Sequence, residues 1–205
     1  MSEARSTILI TGASGFLGKG FVDHFLAEGL YVIGVANKGE LPDRENFTPI
    51  YIDMNQVGAG EEIMEQASKV DPVIDFIINN AARQDVARLE NESAKTAQDI
   101  FRVNLLAIGE IFSAIARHNF GVHSVVNITS IEAVSARPGH SMYGASKAAL
   151  EALTKSAAHE LAPIRINALR LGLIEREGIR AAWPEGVSAW EKRAPLKRME
   201  PSRTR

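Results

Sequence analysis

The chain has 205 residues, 45% hydrophobic and 23% charged, with 16 Gly, 8 Pro and no Cys. That length suits one large domain with a substantial core, and the missing Cys excludes a disulfide framework, an iron–sulfur cluster, a thiolate zinc site and a Cys nucleophile. With 23 basic against 25 acidic residues the net charge is −2, which gives no global attraction to nucleic acid or anionic membrane.

The start, Met1 to Ser6, is polar and lacks the apolar core of a signal peptide. No apolar run approaches the roughly 20 residues of a membrane span. A soluble, cytoplasmic globular protein is expected, with neither nucleic acid nor membrane as partner.

In chain order, Thr7–Thr11 reads as a strand stopped by Gly12. Phe16 to Glu28 follows with apolar residues near helical spacing. Strands are predicted at Tyr31–Val35 and Pro49–Asp53, then a helix from Gly60 to Val70 and a strand from Val73 to Ile78. A long helix is predicted over about 96–117, a strand over Val122–Thr129, a helix over Ser141–Leu161 and a strand over Ile164–Leu171. This alternation is the signature of parallel βαβ units. The strands are nearly continuous apolar runs, as in a sheet covered by helices on both faces. The fold class is therefore α/β, a doubly wound Rossmann-type parallel sheet in a single domain over 1–205. From Gly172 on, two Trp, three Pro and scattered charges suggest loops around a short helix near Ser188–Lys192.

Between the first strand and first helix lies Thr11-Gly12-Ala13-Ser14-Gly15-Phe16-Leu17-Gly18. A glycine triplet alone is weak; here it has the strand–turn–helix context of a dinucleotide loop. Gly12 permits the tight turn, Gly15 lets the backbone approach a pyrophosphate, and Gly18 lets the helix pack close to the strand. The helix start offers free N–H groups and a positive dipole end to phosphates. At the end of the second strand, where NAD binders usually carry an acid, the chain reads Val35-Ala36-Asn37-Lys38. The missing carboxylate and the cation of Lys38 suit a 2′-phosphate, so NADP(H) is slightly favoured over NAD(H); an ordinary solvated lysine is the alternative. Asp53, with Met54 beside it, is placed to hydrogen-bond the adenine amine, with a turn or cap role as the alternative.

Ser130 closes a strand, and Tyr143 and Lys147 lie four apart on one helix face. A Tyr hydroxyl, with a reference pKa near 10, is a poor proton carrier at neutral pH. A neighbouring ammonium favours the phenolate and is expected to lower that pKa. Ser130 would hold the substrate oxygen beside the Tyr hydroxyl.

With these motifs in order, joined by Asn79-Asn80-Ala81-Ala82, Asn104 and Arg165-Ile166-Asn167, the chain resembles the short-chain dehydrogenase/reductase family from about Thr7 to about Met199. The resemblance implies hydride transfer between a nicotinamide and a small carbonyl or secondary-alcohol substrate. Tyr143 would be the acid/base, Ser130 would orient the reacting oxygen, Lys147 would bind the nicotinamide ribose, and Asn104 would position a water in a proton relay. Asn79 and Ala81 would line the adenosine side. Family members build dimers or tetramers on the outer faces of two helices, here including Ile108, Ile111, Phe112, Leu150 and Leu153.

Several features depart from the family pattern. The loop is spaced Gly-x-x-Gly-x-x-Gly, like the family's extended, nucleotide-sugar branch, and Gly15 stands where NADP enzymes of the shorter branch often carry a basic residue. Leu171 replaces the usual Pro before Gly172, and Arg176 stands where a Thr often contacts the cofactor amide; backbone contacts from Gly172 and Ile174 remain available. Residues 172–205 cover the substrate-lid region and stop before the family's final helix and strand. This leaves the strand ending at Leu171 as an expected exposed edge. It also sustains an alternative, a dinucleotide-binding sensor or scaffold with little catalysis. His140, three residues before Tyr143, reads as a loop His near the helix start or as a residue facing the substrate. Trp183 and Trp190 read as lid residues that either shape an apolar pocket or only pack the lid. No His grouping has metal-ligand spacing, and no metal is expected.

Overall fold

The buried residues Thr7–Thr11 form β1, and the other strands are laid out on either side of it. The computed structural model describes residues 5–201; residues 1–4 and 202–205, which hold most of the polar start and the end of the tail, lie outside the described part. In chain order, β1 is followed by α1 (Phe16–Ala27), β2 (Tyr31–Ala36), β3 (Phe47–Tyr51), α2 (Ala59–Val70) and β4 (Phe76–Asn79). Then come α3 (Ala94–Phe101), a π-helical segment (Arg102–Leu106), α4 (Ala107–Arg117), β5 (Ser124–Ser130), α5 (Ser141–Glu160) and β6 (Arg165–Leu171). The strands form one parallel sheet in the order β3-β2-β1-β4-β5-β6, flanked by helices. The order reverses between β1 and β4. In open α/β sheets, ligands bind in the crevice beyond the strand ends at such a switch point.

The core explains why these runs are strands and helices. Leu9, Ile33, Ile77 and Val125 are buried on neighbouring strands. Ile63, Met64 and Ala67 of α2, Ile108, Ile111 and Ile115 of α4, and Leu150 of α5 belong to the same cluster. This packing corrects one expectation. Ile108, Ile111, Phe112 and Leu150 are buried inside the chain and are core residues rather than interface residues, while Leu153 is half-buried and packs against that core. The α4 apolar stripe is one face of an amphipathic helix, and sequence alone does not say whether such a stripe is covered by its own sheet or by a second copy. β6 is an edge strand with Asn167, Ala168 and Leu169 exposed, as expected.

Several boundaries differ from the sequence reading; β4 starts three residues later than predicted and β5 two residues later. β3 starts two residues earlier than predicted, because Phe47 is buried against Gly34 of β2, which leaves it room. The long helix predicted over 96–117 is two helices joined by the π-helical segment. Such segments are frequent at functional sites.

The described residues divide into two compact units, one up to Leu169 and one from Arg170 on. The second contains α6 (Ile179–Ala182) and α7 (Pro184–Arg193), the latter longer than the predicted helix and opened by its proline. Ile179, Val187 and Met199 form its small core, with Leu173 and Trp190 packed on them. Among the described residues no helix is long and apolar enough to cross a membrane.

Candidate active site

The glycine loop sits between β1 and α1, on the switch-point side of the sheet. Gly12 has φ +68°, a left-handed value that other residues adopt at a cost, and a Cβ there would meet the Ala81 backbone at 2.8 Å. A Cβ on Gly18 would lie 2.0 Å from the Gly12 carbonyl oxygen. Both glycines are therefore required by close approach. Gly15, exposed, caps α1 without a side chain, and no acidic residue occupies the first turn. The N–H groups of that turn have no intrahelical acceptors, and Phe16 and Leu17 supply two of them beside the bare Gly15. This cradle fits the pyrophosphate of a dinucleotide.

The loop is held from β4. Asn80 Nδ2 donates to the Thr11 and Gly12 carbonyls at 3.0 and 3.2 Å. The backbone N–H groups of Asn80 and Ala81 donate to Thr11 Oγ1 at 3.0 and 3.1 Å. Ser14 Oγ donates to the Lys38 carbonyl at 2.9 Å, which ties the loop to the end of β2, where Asn37 and Lys38 are exposed. Asp53 is half-buried and its carboxylate accepts the Asn55 N–H at 2.9 Å, the turn role. The Met54 side chain is in the core, so only its backbone is available to a ligand. The Asn79 side chain is likewise interior. Its Nδ2 donates to Asn127 Oδ1 at 2.8 Å, and Asn127 Nδ2 donates to Thr154 Oγ1 at 2.8 Å. That chain of bonds ties β4 and β5 to α5. Gly172 and Ile174 belong to the second unit. There Gly172 lies against Trp190, and Ile174 bridges to Glu200. Trp183 likewise lies against Gly186, so both tryptophans pack within their own unit.

Beyond β5, three predicted residues come together. Ser130 ends β5, and its hydroxyl is near enough to Tyr143, in the first turn of α5, to pull the phenol's pKa down. Lys147, one turn on, is fully buried, with Nζ 5.8 Å from the Tyr143 ring centroid. Its Nζ donates to the Ile128 carbonyl at 2.8 Å. Burial pulls the Lys147 pKa down to about 8. For Tyr143 the expected lowering is not what prevails. Burial first, and the Glu132 charge, hold the phenol above its ordinary value, while the Ser130 hydroxyl pulls the other way. The physical reason is desolvation of the phenolate, which outweighs the help from Ser130.

Asn104 lies in the π-helical segment, fully buried. Its Oδ1 accepts from the Arg83 N–H at 2.8 Å, and its Nδ2 donates to the Arg83 carbonyl and to Ser146 Oγ, both at 3.0 Å. Ser146 Oγ donates to the Tyr143 carbonyl at 2.7 Å. The Asn104 side chain thus connects the loop after β4 to the helix that carries Tyr143 and Lys147.

Asn80, Ser146 and Glu132 bear on the site without being named as site residues in the sequence reading, and His140, read there as a loop His or a substrate-facing residue, is buried at the start of α5. Asn80 carried a signal, its place within Asn79-Asn80-Ala81-Ala82. Ser146 and Glu132 carried none, because their partners lie in other elements.

The family model for short chain dehydrogenase matches residues 6–185. L-xylulose reductase of Mus musculus is 35% identical over 204 residues, covering 92% of this chain and 80% of that protein. A probable galactose dehydrogenase of Rhizobium meliloti is 30% identical over 208 residues, covering 94% and 81%. The solved structure of ElxO with NADP bound superposes with a TM-score of 0.86 at 24% identity, over 97% of this chain and 87% of that one, a likeness of fold. The dinucleotide cradle at the switch point, the matched family model and these relatives agree, and the chain belongs to the short-chain dehydrogenase/reductase family of NAD(P)-dependent oxidoreductases.

Proposed function

We propose that the protein reduces a small carbonyl substrate, or oxidises the matching secondary alcohol, with Tyr143 as the group that moves the proton. The observation that carries this reading is the Lys147 ammonium 5.8 Å from the Tyr143 ring, one helical turn away, with Ser130 at the end of β5 near enough to pull the Tyr143 pKa down. A bound nicotinamide supplies or accepts the hydride. Gly12, Ser14, Gly15, Phe16, Leu17 and Gly18 would hold the pyrophosphate, with Ala81 beneath the loop and the backbone at Asp53 and Met54 toward the adenine.

Each remaining role follows from local chemistry. A phenol kept protonated is ready to donate to a carbonyl oxygen, which favours the reductive direction at neutral pH. Ser130, beside that phenol, would donate to the same oxygen and fix its position. Lys147 is mostly charged at pH 7 with a pKa of about 8. It would offer its remaining N–H bonds to the nicotinamide ribose and stabilise the negative charge that develops on Tyr143 as the phenol gives up its proton. Asn104 holds the Arg83 loop against α5 and would keep the role of positioning a relay water.

NADP(H) is favoured over NAD(H), because exposed Lys38 lies at the end of β2 with no acid beside it. The sugar-reductase and sugar-dehydrogenase relatives make a sugar-sized carbonyl the first substrate class to test. The test is turnover of NADPH and NADH with L-xylulose, with galactose in the oxidative direction, and with a wider carbonyl panel. Turnover preferring NADPH, with the preference reduced in Lys38→Glu, supports the reading. Dinucleotide binding with no turnover across the panel supports the sensor or scaffold alternative instead.

A further inference from the structure

At the end of the loop that would take the adenine lies a carboxylate that the reaction as described does not use. Glu110, on α4, is mostly buried, and it hydrogen-bonds to the start of α2. We propose that Glu110 is a positioning residue for the adenine end of the dinucleotide: by holding the first turn of α2 against α4, it sets the course of the loop 52–58 that carries Asp53 and Met54. The inference rests on the reading that places the adenine at that loop.

The two oxygens of the carboxylate have separate partners. Glu110 Oε1 accepts the Gly58 N–H at 3.1 Å, and Oε2 accepts the Gly60 N–H at 3.0 Å. A helix start leaves its first N–H groups without intrahelical acceptors. Gly58, the N-cap of α2, has no side chain to serve them and sits at φ +83°. A residue 52 positions further along the chain therefore acts as the cap. Its negative charge also suits the positive end of α2. The counter-charge is Arg102 of the π-helical segment, whose Nη2 lies 2.6 Å from Glu110 Oε1. That nitrogen makes no hydrogen bond, so Arg102 acts by charge while the directed bonds of Glu110 go to the α2 backbone. The approach is close. A Cβ on Gly60 would lie 2.1 Å from the Ala107 carbonyl oxygen and 2.6 Å from the Glu110 Cβ, so the α2 backbone reaches the carboxylate only with a glycine there.

The loop is anchored independently at its other end. The Ile52 N–H donates to the Ala36 carbonyl at 3.0 Å, next to Asn37 and Lys38. Ile52 and Met54 are buried. Within the loop, the Asp53 carboxylate accepts the Asn55 N–H and its carbonyl accepts the Gln56 N–H, both at 2.9 Å. The sheet thus fixes the loop at Ile52, and Glu110 fixes it at Gly58. Without Glu110 the second anchor is lost, and the backbone at Asp53 and Met54 gains courses that do not meet an adenine. The apparent affinity for an adenine nucleotide then falls in proportion to the fraction of chains with the loop in place. The pyrophosphate cradle is held instead by Asn80 and Thr11, so it should not sense the change.

The test needs neither a carbonyl substrate nor the choice between NAD and NADP. ADP and inorganic pyrophosphate both suit the glycine loop, and only ADP carries an adenine. Binding is read from the 15N amide shifts of the full chain. In Glu110→Ala the ADP dissociation constant should rise about tenfold, while that of pyrophosphate stays near the wild-type value. Glu110→Gln keeps one acceptor oxygen and should recover part of the ADP affinity. An ADP affinity unchanged in Glu110→Ala overturns the proposal. So do equal losses for ADP and pyrophosphate, which mark a residue that only supports the fold. If Glu110→Ala fails to fold, Glu110→Gln decides by the same comparison, with a loss of about threefold expected for ADP alone. In the wild type, the Asp53 and Met54 amides should shift with ADP and not with pyrophosphate. If they stay still, the placement of the adenine fails. If they move and Glu110→Ala binds ADP as tightly as the wild type, the positioning role alone fails, so the two failures are distinguishable.

Discussion

Lys147 is an ammonium carried inside a protein core, and Lys147→Met exposes what that costs. Burial takes its pKa from 10.5 to about 8. Each unit corresponds to ~1.4 kcal/mol, so holding the charge at pH 7 costs the fold about 3 kcal/mol. Between about pH 8 and 10.5 the unfolded chain keeps a proton that the folded chain has lost, so wild-type stability rises with pH across that window. Between pH 7 and 10 the gain is about 2–3 kcal/mol. Met cannot titrate and lacks this gain. It also leaves the Ile128 carbonyl without its donor, a pH-independent loss of ~1 kcal/mol. The variant should therefore be about 2 kcal/mol more stable than the wild type at pH 7, with the advantage gone near pH 10. Tyr143, held above its ordinary value by burial, stays a phenol over most of this range and contributes little to the difference. Urea unfolding of both proteins at pH 7, 8, 9 and 10 reads this directly. A difference that is flat with pH, or a variant several kcal/mol less stable at pH 7, refutes the reasoning. Turnover should fall sharply in the same variant, a stabilising change that removes function.

Other outcomes follow from the cradle. Gly18→Ala places a Cβ 2.0 Å from the Gly12 carbonyl. It should cost about 3 kcal/mol in chemical unfolding and weaken dinucleotide binding measured by fluorescence titration. Asn80→Ala removes the donor to two loop carbonyls. It should lower stability by about 1–2 kcal/mol and raise the NADPH dissociation constant, whereas a change confined to stability would show that the clamp does not shape the cradle. Lys38→Glu should leave the melting temperature near that of the wild type, because the residue is exposed, while shifting cofactor preference toward NADH.

How much of this was legible in the sequence depends on the distance over which each contact acts. β1, α1, α2 and α5 were readable because a continuous apolar run, a glycine stop or helical spacing is local. Tyr143 and Lys147 were readable for the same reason, being one turn apart. The π-helical segment was not, since the 96–117 stretch keeps its helical spacing and the irregularity is set by Asn104 bonding to Arg83 and Ser146, residues 21 and 42 positions away. The position of Phe47 inside β3 depends on the space left by Gly34. The apolar face of α4 was legible as apolar but not as covered, because α2 and the sheet that cover it come from earlier in the chain. The raised Tyr143 pKa was missed because spacing reveals a neighbouring charge and says little about desolvation.

The central claim is that Tyr143 moves the proton in a nicotinamide-dependent reaction, and Tyr143→Phe tests it most directly. With NADPH and the carbonyl probe that the wild type turns over fastest, the variant should lose about 10²- to 10⁴-fold in turnover. Its NADPH affinity and melting temperature should stay near those of the wild type. Turnover near the wild-type rate in Tyr143→Phe, or a wild type that binds NADPH yet turns over none of the panel, contradicts the account.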